Sequence, residues 1–191
     1  MTSSVTRPET PHPRIQEVLD YLDVHRRQLL DTIASVPAKV RDRRPGEGRW
    51  SVAEVVEHLA LIEQGIAGLL SRKVAEARAN GVGADTETSS VVASFDHSDR
   101  VIDRSRKIDV PAELRPSGSL NAEAGMQALE KARAAMAGAL RNANGVSLEN
   151  LTQAHPVLGT MNMYHWMVAT ALHEDRHAAQ IREIGQSLAA G

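Results

Sequence analysis

The chain has 191 residues, a formal net charge of −2 and no cysteine. That charge offers no basis for a nucleic-acid or other polyanion partner, and the missing thiols exclude disulfides and thiolate metal ligands. No apolar run approaches the ~20 residues of a membrane span, and "MTSSVTRPETPHP" lacks the apolar core of a secretion signal. A cytoplasmic protein is expected, with residues 1–13 as a disordered lead-in and 14–191 as one domain.

Apolar residues recur at helical spacing in four places, and no period-2 strand emerges. The first predicted helix runs from Arg14 to Val36, with Ile15, Val18, Leu19, Leu22, Leu29, Leu30 and Ile33 as its stripe and Pro37 as its stop. The second opens at "WSVAEVVEHLALIE", where Ser51 and Glu54 form a capping box and Trp50 and Val55 a hydrophobic staple. It ends near Ala79, before Asn80-Gly81. The third spans Leu120 to Arg141, with Met126, Leu129, Ala132, Met136 and Leu140 inward. The fourth starts at Asn162, an N-cap residue type, and runs to Leu188. These elements predict an all-α four-helix bundle. The 80–118 connection carries Gly81, Gly83, Pro111, Pro116 and Gly118 and is long enough to be a crossover, so helices two and three are expected to run parallel.

The chemistry is concentrated in "HEDRHAAQI", His173 to Ile181. It matches H-E-x-x-H, the pattern of zinc peptidases in which the Glu is the general base. Those enzymes take a third ligand downstream. Here the position six residues past His177 is Glu183, and Gln180 stands where a glycine is wanted. Asp175 and Arg176 occupy positions that are usually uncharged, and an all-helical chain offers no edge strand for a peptide. The peptidase reading fails on these counts.

A better third ligand lies upstream. His58 shares the apolar stripe of Val55, Leu59 and Ile62, while His173 and His177 share that of Trp166, Ala169, Gln180, Ile181 and Ile184. One His from one helix and an i, i+4 pair from another can converge on a metal and leave positions open. Three neutral imidazoles suit zinc, nickel, iron or copper better than magnesium or calcium.

The segments "GRWSVAEVVEHLALIE" and "HPVLGTMNMYHWMVATALHEDRHAAQI", in this order and spacing, resemble the DinB/YfiT-like metalloenzymes, in the DinB-like branch. The likeness covers residues 14 to 189 and includes "KIDVPAELRPSGSL". It implies an up-down-down-up bundle with His58, His173 and His177 on a divalent metal, zinc, nickel or iron first. It also implies a homodimer. Relatives include bacillithiol S-transferases and mycothiol-dependent enzymes, so the leading expectation is a metal-dependent transferase that uses a low-molecular-weight thiol and a small-molecule substrate. A metal-dependent hydrolase and a non-catalytic metal-binding stress-response or interaction module are the alternatives. An open pocket with a metal-bound water favours an enzyme, and a closed or wholly apolar one favours the module.

Other residues have simpler expected roles. Glu57 and Glu54 can orient His58 by accepting its other N–H, although the capping box is the stronger claim on Glu54. Gln180 is a candidate pocket-lining group. His155, in "HPVLG", either reaches the pocket mouth or serves the turn beside Pro156. His12, His25 and His97 are expected on the surface, His165 in a structural role, and Trp50 and Trp166 as core anchors. Glu174 and Asp175 should face solvent or an interhelical ion pair. "SDRVIDRSRKID" reads as a solvated loop, and "GVG" at 81–83 is not a phosphate cradle.

Overall fold

The structure is a computed structural model that describes residues 10–105 and 108–190. Four long helices dominate: α1 (Pro13–Ser35), α2 (Val52–Ala79), α4 (Ala122–Asn142) and α5 (Met163–Ala189). A short helix α3 (Ser98–Ile102) lies in the connector between α2 and α4, and a hairpin of β1 (Thr152–His155) and β2 (Gly159–Asn162) precedes α5.

The helix starts follow local chemistry. His12 accepts a hydrogen bond from the Arg14 amide at the head of α1, with Pro13 in the first turn, where its missing N–H costs nothing. At α2, Ser51 Oγ accepts from the Glu54 amide and Glu54 accepts from the Ser51 amide, forming the expected capping box. Asn121 and Asn162 cap α4 and α5 by the same logic.

Helix directions follow from which residues meet. At the head of α4, Gly125 lies against Val56 and the Ala53 carbonyl near the head of α2. Arg133 meets Glu63 at mid-length, and Arg78 donates to the Asn142 carbonyl at the far ends. The two helices are therefore parallel. Arg14 stacks over Tyr164, His25 meets Asp175 and Gly185 faces Val36, so α1 and α5 are parallel as well. Leu22 and Leu70 lie in one part of the core and Leu29 and Leu59 in the other, on either side of the Arg26–Glu63 pair, which sets α1 antiparallel to α2. The result is the up-down-down-up bundle, with residues 80–121 making the crossover.

The core has two apolar parts. Ile15, Leu22, Leu70, Val74, Met136 and Tyr164 form one, and Leu29, Ile33, Val55, Leu59, Leu129 and Ile181 the other. Between them lies a charged layer with one residue from each long helix: Arg26, Glu63, Arg133 and Glu174. Glu63 Oε1 accepts from Arg26 at 2.7 Å and from Arg133 at 2.6 Å, while Glu174 Oε1 accepts from Arg26 Nε at 2.8 Å. Glu63 and Glu174 are each 1% exposed, so this layer is interior. Glu174 thus forms an interhelical ion pair, deep in the bundle.

Three expectations need correction. The chain is not purely helical, because residues 152–162 form an antiparallel hairpin with His155 opposite Gly159. Gly159 has φ +86°, which a short hairpin turn requires and a side chain resists. His25 is not a surface residue: it is buried, its ring tilted against Tyr21 at 4.3 Å, with Nδ1 2.8 Å from Asp175. The run at 98–109 is not simply solvated. It includes α3, Arg100 donates to the Val157 carbonyl, and Arg104 pairs with Glu183 at 2.7 Å. Arg106 and Lys107 lie outside the described residues, as do residues 1–9 of the expected lead-in. Thr10 and His12 are tied to Asn144.

Candidate metal centre

His58 sits on the second turn of α2, and His173 and His177 sit one turn apart on α5. Their helices bring one ring nitrogen of each within 4.8 Å of the others. The Nε2 atoms of His173 and His177 are 3.1 Å apart. Two imidazoles bound at about 2.0–2.1 Å would stand about 2.9 Å apart at a right angle and about 3.3 Å apart at a tetrahedral one. The observed spacing falls between the two.

Hydrogen bonds fix which nitrogen His58 and His177 present. His58 Nδ1 lies 2.7 Å from the Leu114 carbonyl, an obligate acceptor, so Nδ1 carries the proton and Nε2 keeps its lone pair. His177 Nδ1 lies 2.8 Å from Gln180 Oε1, with the same consequence. Buried His173 Nδ1 has no hydrogen-bond partner among the described residues. Burial pushes all three imidazoles toward the neutral form: His58 is lowered, His173 lies well below the ordinary value, and His177 falls to about 3. Mutual proximity adds to the shift, with His177 and His58 acting on His173, and His58 acting on His177. Three neutral rings with converging nitrogens, two of them oriented by hydrogen bonds, fit a divalent borderline metal.

The other expected residues are placed as follows. Among the described residues the Glu57 carboxylate makes no hydrogen bond to the His58 ring. It accepts from the Ser117 amide at 2.9 Å, Ser117 Oγ at 2.7 Å and the Gly118 amide at 3.3 Å, tying down the strap that carries Leu114. Glu54 is committed to the capping box and to Arg44. Gln180, expected to line the pocket, is not among the cavity's lining residues; it accepts from His177 Nδ1 instead. His155 serves both expected roles: Nδ1 accepts from the Val157 and Leu158 amides, and the residue lines the cavity. Trp50 is half-buried beside Val55, 5.1 Å from the His58 ring. Trp166 is a cavity wall as well as a core contact, with Nε1 on the Gln153 carbonyl and its ring against His155 at 4.7 Å. His12 and His97 are half-buried, and His165 bonds Ser94 Oγ at 3.0 Å.

The Leu114 contact to His58 is one that sequence reasoning missed. It acts through its backbone carbonyl, which side-chain identity cannot reveal. The cavity that begins at His173 has a volume of about 620 Å³ and is walled by Ile62, Leu69, Val101, Leu158 and Trp166, with arginines at positions 72, 100 and 176.

Comparison with known proteins gives the family and the fold. The DinB superfamily model matches residues 21–181. The chain belongs to the DinB superfamily. It is 24% identical over 148 residues to the uncharacterized protein YuaE of Bacillus subtilis (strain 168), covering 77% of this chain and 84% of that one. The crystal structure of TT2238, a four-helix bundle protein, aligns with a TM-score of 0.58 at 22% identity, over 88% of this chain and 98% of that one. That likeness concerns the fold. Among the described residues no helix is long and apolar enough to cross a membrane.

Proposed function

We propose that this DinB-superfamily chain is a metal-dependent transferase that uses a low-molecular-weight thiol as nucleophile. One observation carries the reading: three histidines held toward the neutral form converge, and one of them, His173, lines a cavity of about 620 Å³ with polar as well as apolar walls. A non-catalytic module has no need of such a cavity.

A thiol of pKa about 8.5 is mostly protonated at neutral pH, and a bound divalent metal would lower that value. The chain itself adds positive charge. Arg176 and Arg104 lie close enough to depress the basicity of His177, and the same field favours an arriving thiolate. Trp50 and the Leu114 strap shield the His58 side, so a co-substrate enters from the His173 side. In the net reaction the thiol proton passes to water, a sulfur–carbon bond forms and the bond to the leaving group breaks.

The test is a spectral titration of cobalt-substituted protein with bacillithiol, mycothiol, coenzyme A and glutathione. One of them should produce a sulfur-to-cobalt charge-transfer band and accelerate conjugation of chlorodinitrobenzene. His177→Ala should remove both effects. A panel in which no thiol perturbs the spectrum overturns the reading and turns it toward a hydrolase.

A further inference from the structure

We propose that the cavity beside His173 takes a small organic acid, with an apolar body between α2 and the hairpin and its anionic group against Arg72 and Arg100. This names the co-substrate class of the thiol reading and rests on it, but the binding test below needs neither thiol nor metal.

The walls define the body of the ligand. Ile62, Ile66 and Leu69 of α2, Val157 and Leu158 of the hairpin turn, and Trp166 of α5 face one space of about 620 Å³, within the range of small-molecule sites. Gly65 lines this space, and nothing lies within 4 Å of where its Cβ would stand. A glycine in a helix interior costs about 1 kcal/mol against alanine. Here it leaves the α2 wall open.

The charges define the other end. Arg72, Arg100 and Arg176 line the cavity from three separate elements, and Glu113 is the sole carboxylate among the described lining residues. Asp99, Asp103 and Asp109 of the connector are not part of the lining. Arg176 is engaged with the Val101 and Asp103 carbonyls, which braces the connector and leaves its charge at the cavity wall. Arg100 Nη2 donates to the Val157 carbonyl at 2.7 Å. A guanidinium has five N–H donors in a planar fork, so this bond orients Arg100 and leaves donors for a ligand. Arg72 makes no hydrogen bond or ion pair among the described residues and reaches back over Gly68. Arg72 and Arg100 stand exposed at the cavity's edge, where a planar guanidinium fork favours a carboxylate or phosphate over a neutral group of the same shape.

The probes are 8-anilinonaphthalene-1-sulfonate and its uncharged counterpart N-phenyl-1-naphthylamine, titrated by fluorescence into the full chain carrying His177→Ala. The sulfonate should bind at least about tenfold tighter, a preference that salt weakens. Arg72→Gln and Arg100→Gln should each lower sulfonate affinity about fivefold or more while leaving the neutral probe unchanged, as loss of one charge-assisted bond implies. Gly65→Leu should block both probes, with circular dichroism confirming the fold. Competition by octanoate and octyl phosphate tells which headgroup is preferred, and octanol should compete poorly. Equal binding of the two naphthalenes, or a sulfonate preference that survives both glutamine substitutions, overturns the inference and leaves the thiol reading standing. A cobalt panel without a responsive thiol does the reverse.

Discussion

The Leu114 carbonyl lies 2.7 Å from Nδ1 of His58, so a residue of the long connector sets the tautomer of a histidine on α2. The connector is held there by Glu57, the neighbour of His58, through three hydrogen bonds to Ser117 and Gly118. Sequence neighbours on one helix thus grip the same strap from two sides.

Loosening that grip should weaken metal binding without touching a ligand. Glu57→Ala is expected to lower zinc affinity about tenfold, as loss of a group that orients a ligand commonly does. Chelator competition gives the affinity, and hydrogen exchange should show faster opening of the 112–118 amides. Unchanged affinity despite faster exchange would mean that the strap is irrelevant to His58.

Gln180 makes the corresponding contact for His177 at 2.8 Å. Gln180→Leu should cost about 10- to 100-fold in metal affinity, with little change in melting temperature. A full-affinity leucine variant would show that His177 needs no partner.

Much of this was legible because its causes are local. The Ser51–Glu54 capping box, the asparagine caps and the spacing of His58, His173 and His177 on apolar stripes are visible over a few residues. The missed features depend on distant partners. Glu57 looked like a partner for His58, because nothing near it in sequence names Ser117 as the donor to its carboxylate. The hairpin was missed because its strands are four residues each and "TQAH" and "GTMN" alternate too weakly to register. Gly159 three residues past Pro156 was its available signal. Glu63 and Arg133 fall on the core stripes of Leu59/Ile66 and Leu129/Met136. Opposite charges on two buried faces are themselves the hint of a pair.

That buried layer yields a stability prediction. Glu63 accepts from both Arg26 and Arg133, and removing it leaves two guanidinium groups in the core. Glu63→Leu should destabilise the protein by about 3–5 kcal/mol, as breaking buried pairs does. The exposed Glu130→Gln should stay within about 0.5 kcal/mol. Urea unfolding measures both. A stable Glu63→Leu protein would indicate that the charged layer is dispensable.

The histidines also set an acid limit. The folded-state values of His58, His173 and His177 are lowered, that of His177 to about 3. Above the unfolded value, about 6.5, neither state binds these protons, and stability is unaffected. As pH falls below it, the unfolded chain takes up protons that the native state refuses. Metal-free protein should therefore lose up to about 1.4 kcal/mol per pH unit for each imidazole. Melting curves of chelator-treated protein should decline below pH 6.5, and less steeply for His177→Ala. A flat profile down to pH 5 would show that these rings charge freely in the fold.

The claim that His58, His173 and His177 hold one divalent metal is tested most directly by elemental analysis. Protein purified without a metal-affinity step is equilibrated with zinc, nickel, iron, manganese or cobalt and then dialysed. The account predicts about one ion per chain, its loss in each of His58→Ala, His173→Ala and His177→Ala, and its retention in His25→Ala and His155→Ala. A wild-type chain that holds none of these metals, or a His58→Ala chain that holds its metal undiminished, would contradict it.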